Sequence, residues 1–125
     1  MGTMRYDDLL ALRYEAGCYD PEEGCLDCFG ATAEIVARAH GEAARDRFLV
    51  LLKKPTHNWI RVDGPAMLGD VVVSFAGDGL HVSGVAATDP TLVVSAATGY
   101  GVYAQRLSTV RDIEGIYRDP EVACL

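Results

Sequence analysis

The sequence has no apolar run approaching the roughly 18 residues that a membrane-spanning helix needs. Its first residues, Met1-Gly2-Thr3-Met4-Arg5-Tyr6-Asp7-Asp8, turn acidic at once and contain no apolar segment of the kind a secretory signal carries. A chain made and kept soluble in a cytoplasm is the resulting expectation. Basic residues are also scarce, with 11 Lys and Arg against 18 Asp and Glu and a formal charge of −7. Phosphate backbones call for a basic face, so nucleic acid is excluded as a partner. Internal repeats, low-complexity tracts and linkers are missing as well. What is left is ordinary globular composition, 50 % apolar and 23 % charged over 125 residues, enough for one domain spanning 1–125 and too little for two.

Four cysteines are present: Cys18, Cys25, Cys28 and Cys124. Three of them fall within residues 18 to 28. A secreted disulfide framework is not expected from so apolar a chain without a signal. Cys25-Leu26-Asp27-Cys28 is a C-x-x-C, but no second such pair exists to make a zinc site specific, so no metal is assigned. Thioredoxin-like chemistry would need a strand before the motif and a parallel sheet, and the strand candidates all come later. A reversible Cys25–Cys28 disulfide remains compatible with a reactive Cys28.

The apolar spacing is helical from Tyr6 to about Leu52, and β-branched runs alternate with Gly-rich turns from Asp70 onward. A short amphipathic helix is expected over Tyr6–Arg13, and a second over Asp27–His40 with Asp27 as N-cap and Gly41 as stop. Glu42–Leu52 extends or restarts that helix, and Thr56–Leu68 is an ordered connection holding Trp59. Strands are expected over Asp70–Phe75, Leu80–Ala87, Thr91–Ala96, Gly101–Leu107 and Ile113–Tyr117. Helices first and antiparallel strands afterwards define an α+β class, with N-terminal helices packed on a C-terminal antiparallel sheet. Trp59, Phe75 and Tyr117 are expected in the core.

Cys28 sits where a loop gives way to a helix, and a helix N-terminus favours the thiolate that acts as nucleophile. Such a cysteine needs a base, usually histidine, brought from elsewhere in the chain. Three histidines are available. His40 ends the helix that Cys28 begins, about 18 Å away at 1.5 Å per residue, and is excluded. His57 lies in an unpatterned polar stretch. His81 starts a strand after a Gly-rich turn and is the best of the three.

The surroundings of this pair resemble the NlpC-like family of papain-like cell-wall cysteine peptidases. Tyr14-Glu15-Ala16-Gly17-Cys18 is similar to the family's Tyr-x-x-Gly-Gly segment, with Cys18 replacing the second Gly. Leu26-Asp27-Cys28-Phe29-Gly30 matches its Asp-Cys-x-Gly motif. Leu68-Gly69-Asp70-Val71-Val72-Val73 is similar to its Pro-Gly-Asp strand, with Leu68 in place of Pro. Leu80-His81-Val82-Ser83-Gly84-Val85 resembles the strand that supplies the base. The resemblance runs from about Tyr6 to Arg118. It implies a papain-like NlpC-type fold, Cys28 as nucleophile, His81 as base and Tyr14 as a site tyrosine near the oxyanion. It also places Ser95 where the family has a polar third residue, often His, to orient the imidazole. Phe29, beside the nucleophile, is a candidate to line the cleft.

The implied reaction is hydrolysis of an amide bond in peptidoglycan stem peptides, with no cofactor. The absence of a signal fits delivery to the wall by an assembly such as a phage or phage-like tail, whose proteins would then be partners. It equally fits a cytoplasmic amidase. The rival reading is a catalytically inactive NlpC-like module with a structural or binding role.

Overall fold

The computed structural model describes residues 4–51, 58–77 and 79–123. His57 and Cys124 therefore lie outside the described residues. The chain opens with a 3₁₀ turn, Asp7–Ala11, followed by β1 (Arg13–Tyr14), a second 3₁₀ turn (Pro21–Glu23) and β2 (Cys25–Leu26). Two helices follow, α1 (Cys28–His40) and α2 (Glu42–Val50), and then β3 (Ile60–Arg61). The main strands are β4 (Val71–Ala76), β5 (Gly79–Thr88), β6 (Thr91–Ala97), β7 (Gly101–Arg106) and β8 (Ile113–Arg118), and α3 (Pro120–Ala123) closes the described chain. Six strands form one antiparallel sheet in the order β3-β8-β4-β5-β6-β7. This is the α+β arrangement read from the sequence, and the five strands expected after Asp70 all form.

Helix α1 starts because the Asp27 side chain accepts a hydrogen bond from the Gly30 N–H at 2.7 Å, satisfying one of the orphan donors of the first turn. It lies centrally on the sheet. Ala31 and Ile35 pack with Leu9, Leu26, Ala86, Val94, Ala96 and Val102, while Ala33 and Val36 pack with Ala44, Phe48, Trp59, Val71 and Val82. A third cluster of Val72, Val85 and Val93 belongs to the alternate positions of the strands. The approach of α1 to β5 is close: a Cβ on Gly84 would stand 2.8 Å from Ile35. That contact seats the middle of α1 against the strand that carries His81.

Three expectations are corrected. The first helix is only the 3₁₀ turn Asp7–Ala11, and the chain then extends as β1 instead of continuing to Arg13. Five residues leave little to repay helix nucleation, and Leu9 alone of them is buried. The Leu12 carbonyl instead accepts the Val102 N–H at 3.1 Å, tying the segment to β7. β1 pairs in parallel with β2, so a short strand pair does precede Cys28, and the premise that every strand lies later fails. Phe75 is 54 % exposed, opposite an equally exposed Leu80 near the end of the β4–β5 hairpin, and is not core. Trp59 is buried and Tyr117 packs against the same cluster, as expected.

The cysteine chemistry also differs from expectation. Cys18 and Cys25 form a disulfide across a Cα separation of 6.0 Å, and Cys28 is free. Cys25 belongs to β2, whereas Cys28 already belongs to α1. Two bonds hold the Cys18 segment over β2: Asp27 N–H to the Cys18 carbonyl (3.0 Å) and Gly17 N–H to Asp27 Oδ2 (2.9 Å). The Tyr-x-x-Gly-Cys variation thus corresponds to a single local bridge, not a framework.

Candidate active site

Cys28 is the first residue of α1 and is half-buried. Burial pushes its thiol pKa above the ordinary value of 9.0, and the neighbouring Asp27 carboxylate pushes the same way. Hydrogen bonds from the backbone N–H groups of Val82, Phe29 and Cys28 itself oppose this by favouring the thiolate. The sulfur is therefore addressed by two donors from the helix start and one from β5. Gly30 makes the arrangement possible, since a Cβ there would lie 2.4 Å from the Cys18 carbonyl oxygen. The disulfide-bridged loop rests directly on the first turn, which is a physical reason for the glycine of the Asp-Cys-x-Gly motif.

The donor on β5 is free for this purpose because β5 and β6 part company there. Their pairing runs from Thr88↔Thr91 to Gly84↔Val94 and goes no further toward the start of β5. A strand residue's N–H and C=O face the same neighbour, so both groups of Val82 turn to the opened side. Its carbonyl takes the Ser95 hydroxyl at 2.6 Å, and its N–H is near enough to the Cys28 sulfur to favour the thiolate. His81 is the preceding residue.

The His81 ring is held at Nε2 by two hydroxyls, Ser95 Oγ at 3.0 Å and Tyr103 Oη at 2.9 Å. Proton accounting fixes the roles. Ser95 has one hydroxyl proton, and the Val82 carbonyl, which only accepts, takes it. Ser95 can then only accept from the ring, so the proton of neutral His81 sits on Nε2 and Nδ1 keeps its lone pair. Tyr103 Oη accepts from the same Nε2–H. Burial raises the Tyr103 pKa, which keeps it a neutral phenol. Burial likewise lowers the His81 pKa from 6.5, so the imidazole is uncharged at neutral pH.

Tyr103 was not singled out from the sequence, although a signal existed. Centring the β6–β7 hairpin on Gly99 pairs Ser95 with Tyr103, the observed register. Because two acceptors share one ring N–H, each should substitute in part for the other. Tyr103→Phe is expected to lower turnover about threefold to fivefold. Ser95→Ala should do the same, and their combination should cost more than the product of the two. A double-mutant cycle on kcat/KM checks this, and simple multiplicativity would show that the hydroxyls act independently.

Of the other expected site residues, Tyr14 lies opposite Leu26 in the β1–β2 pair, two residues before the nucleophile, with its ring against the Leu9–Leu26–Val102 cluster. The Phe29 ring is 6.2 Å from that of Phe48, which in turn stands edge-on to Trp59 at 5.9 Å. Phe29 addresses the sulfur through its backbone N–H. Tyr19, passed over in the sequence, is near enough to Asp27 and Cys28 that their charges, after burial, raise its pKa. His40 lies at the far end of α1 over Gly69. Among the described residues Cys18, Glu23 and Cys25 cluster their ligating atoms, but both sulfurs are consumed by the disulfide and are not thiolate ligands.

The sequence matches no family model and no curated protein. Among solved structures it is similar to NlpC2 from Trichomonas vaginalis, with a TM-score of 0.61 at 17 % identity. It is also similar to NlpC1 from the same organism, with a TM-score of 0.60 at 18 % identity. Each match covers 90 % of this chain, which spans only 43 % and 40 % of the respective neighbours. The helices, the antiparallel sheet and these two likenesses agree that the chain has an α+β, NlpC-like fold.

Proposed function

We propose that the protein is a cysteine peptidase or amidase that hydrolyses an amide bond in peptidoglycan stem peptides. One observation supports the reading: two hydroxyls hold the His81 ring at Nε2 and leave Nδ1 to act as base, one residue from Val82, whose N–H favours the Cys28 thiolate. As the sulfur attacks the amide carbonyl, His81 takes the thiol proton and a C–S bond forms. The negative oxygen of the tetrahedral intermediate is placed by the N–H groups at the helix start. His81 then gives its proton to the leaving nitrogen as the C–N bond breaks. Water, deprotonated by His81, attacks the thioester, and the proton returns to the sulfur as the acid departs.

The peptidoglycan substrate is what the resemblance of the Asp27-Cys28-Phe29-Gly30 and His81-Val82 segments implies. The test is release of soluble fragments from labelled peptidoglycan by the purified chain, and loss of that release after alkylation of Cys28. Intact peptidoglycan after prolonged incubation would leave the inactive module as the better reading. The Cys18–Cys25 bridge supports work in an oxidising compartment, where disulfides persist.

The two pKa shifts give the site a recognisable pH signature. With the thiol raised and the imidazole lowered, the resting pair at neutral pH is uncharged thiol and uncharged imidazole. Alkylation of Cys28 by iodoacetamide is therefore expected to keep accelerating as the pH rises through 9.0. Turnover, which needs neutral His81, should lose its acid limb only below pH 6.5. A fast alkylation plateau already reached between about pH 5 and 7 would mean a preformed thiolate–imidazolium pair and would contradict this account.

A further inference from the structure

Helix α1 covers its face of the sheet only part of the way along β4 and β5. Its last residue, His40, lies over Gly69, and Ile35 near its middle lies over Gly84. Its start therefore points along β5 toward Val82, and Cys28, Phe29 and Val73 pack on the cluster that holds Val71 and Val82. Alternate strand residues share a face. β4 pairs with β5 without a register break from Val71↔Gly84 through Val73↔Val82 to Phe75↔Leu80. Phe75 and Leu80 are thus the next pair on this face, one step beyond the pair beside Cys28. Cys28 precedes Ile35 by two helical turns, about 10 Å, whereas Leu80 lies about 13 Å from Gly84 along the strand. The pair stands just past the end of the helix, which is why Phe75 and Leu80 are 54 % and 60 % exposed. It is nevertheless held in place. Ala76↔Gly79 closes the hairpin beyond it, and the Phe75 N–H donates to the Asp112 carbonyl at 3.0 Å.

We propose that Phe75 and Leu80 form a substrate platform, which takes an apolar side chain carried within one or two residues of the carbonyl that Cys28 attacks. This rests on the hydrolase reading above, in which Cys28 is the nucleophile. The span fits. Leu80 and Val82 are about 7 Å apart along β5, a distance that an extended peptide covers in about two residues. Val82 marks the sulfur, since its N–H favours the Cys28 thiolate and its side chain belongs to the cluster on which Cys28 packs. The chemistry fits as well. From Val71 to Phe75 and from Leu80 to Gly84 this face carries no charged side chain. An apolar group laid on the pair leaves water together with it, whereas a charged group would lose hydration and gain no partner.

Alkylation of Cys28 in the whole chain, followed by peptide mapping, reads the platform without requiring turnover. N-butyl iodoacetamide carries a four-carbon tail, and iodoacetamide is its tail-free control, each rate being taken relative to that with a free thiol. The tail is expected to speed alkylation of Cys28 about tenfold, the effect of half-burying four methylenes. In the double variant Phe75→Ser, Leu80→Ser the advantage should fall to about twofold or less. Phe75→Leu, which keeps an apolar surface, should retain most of it. Melting curves check that the variants fold, as substitutions at exposed positions should allow. Equal relative rates for the two reagents in wild type, or an advantage that survives the double variant, overturns the platform even if peptidoglycan is cleaved. A dimer in sedimentation that dissociates in the double variant also overturns it, because the pair is then a contact between copies. A tail advantage in a protein that leaves labelled peptidoglycan intact supports the platform as an apolar site beside Cys28 and removes the hydrolase.

Discussion

Replacing His81 by alanine is expected to lower turnover about 100-fold or more, the scale of a positioned acid–base group. The size follows from the state of the nucleophile. Burial holds the Cys28 thiol protonated at neutral pH, so without a base next to Val82 the sulfur has no route to the thiolate. Ser95 cannot replace it, because a neutral hydroxyl is far too weak a base to hold the thiol proton. Tyr103, a phenol with a raised pKa, is no base either. The variant should regain part of its activity as the pH rises, because solvent hydroxide then does the deprotonation. kcat/KM for labelled peptidoglycan across pH 6 to 10, beside a melting curve to confirm folding, decides the matter. Activity within about threefold of wild type at pH 7 would remove His81 from the mechanism.

The elements that carry Cys28 and His81 are legible in the sequence, whereas Ser95 enters through the family resemblance alone. Asp27 announces a helix start, the Gly-rich turn at 77–79 announces a strand, and β-branched runs mark the sheet. What was not legible depends on atoms whose position comes from register and strand divergence. Val82 contributes its backbone groups, which no residue type reveals, and they are available only because the β5–β6 pairing stops at Gly84. Tyr103 enters through a hairpin register that becomes obvious once Gly99 is known to be its centre. The disulfide pairing stayed open in the sequence for a related reason. Sequence spacing joins Cys25 to Cys28, but the change from β2 to α1 between them separates the two, and the loop brings Cys18 to Cys25. Two-residue strands such as β1 and β2 carry no periodicity to read.

Arg118→Ala is expected to destabilise the protein by about 3 kcal/mol or more, through a carboxylate that the Gly69-Asp70 motif buries. Asp70 is 0 % exposed and immediately precedes β4. It receives Arg118 Nε at Oδ1 and Nη2 at Oδ2, both at 2.8 Å, and the Met67 N–H at Oδ2, also at 2.8 Å. This two-pronged pair joins the start of β4 to the end of β8 beside the Val71↔Tyr117 pairing. Removing the guanidinium leaves a buried negative charge with one amide donor. Removing both charges, in Asp70→Asn with Arg118→Met, leaves no such charge and should recover much of the loss. The melting temperature of Arg118→Ala should fall by roughly 10 °C for a chain of this size. Turnover should fall with it, since β4 holds β5 through the Ser74↔His81 pairing and loosening that edge shifts the base. A drop of under about 2 °C, or a double variant no more stable than the single one, would show that the Asp70–Arg118 pair does not hold this edge of the site.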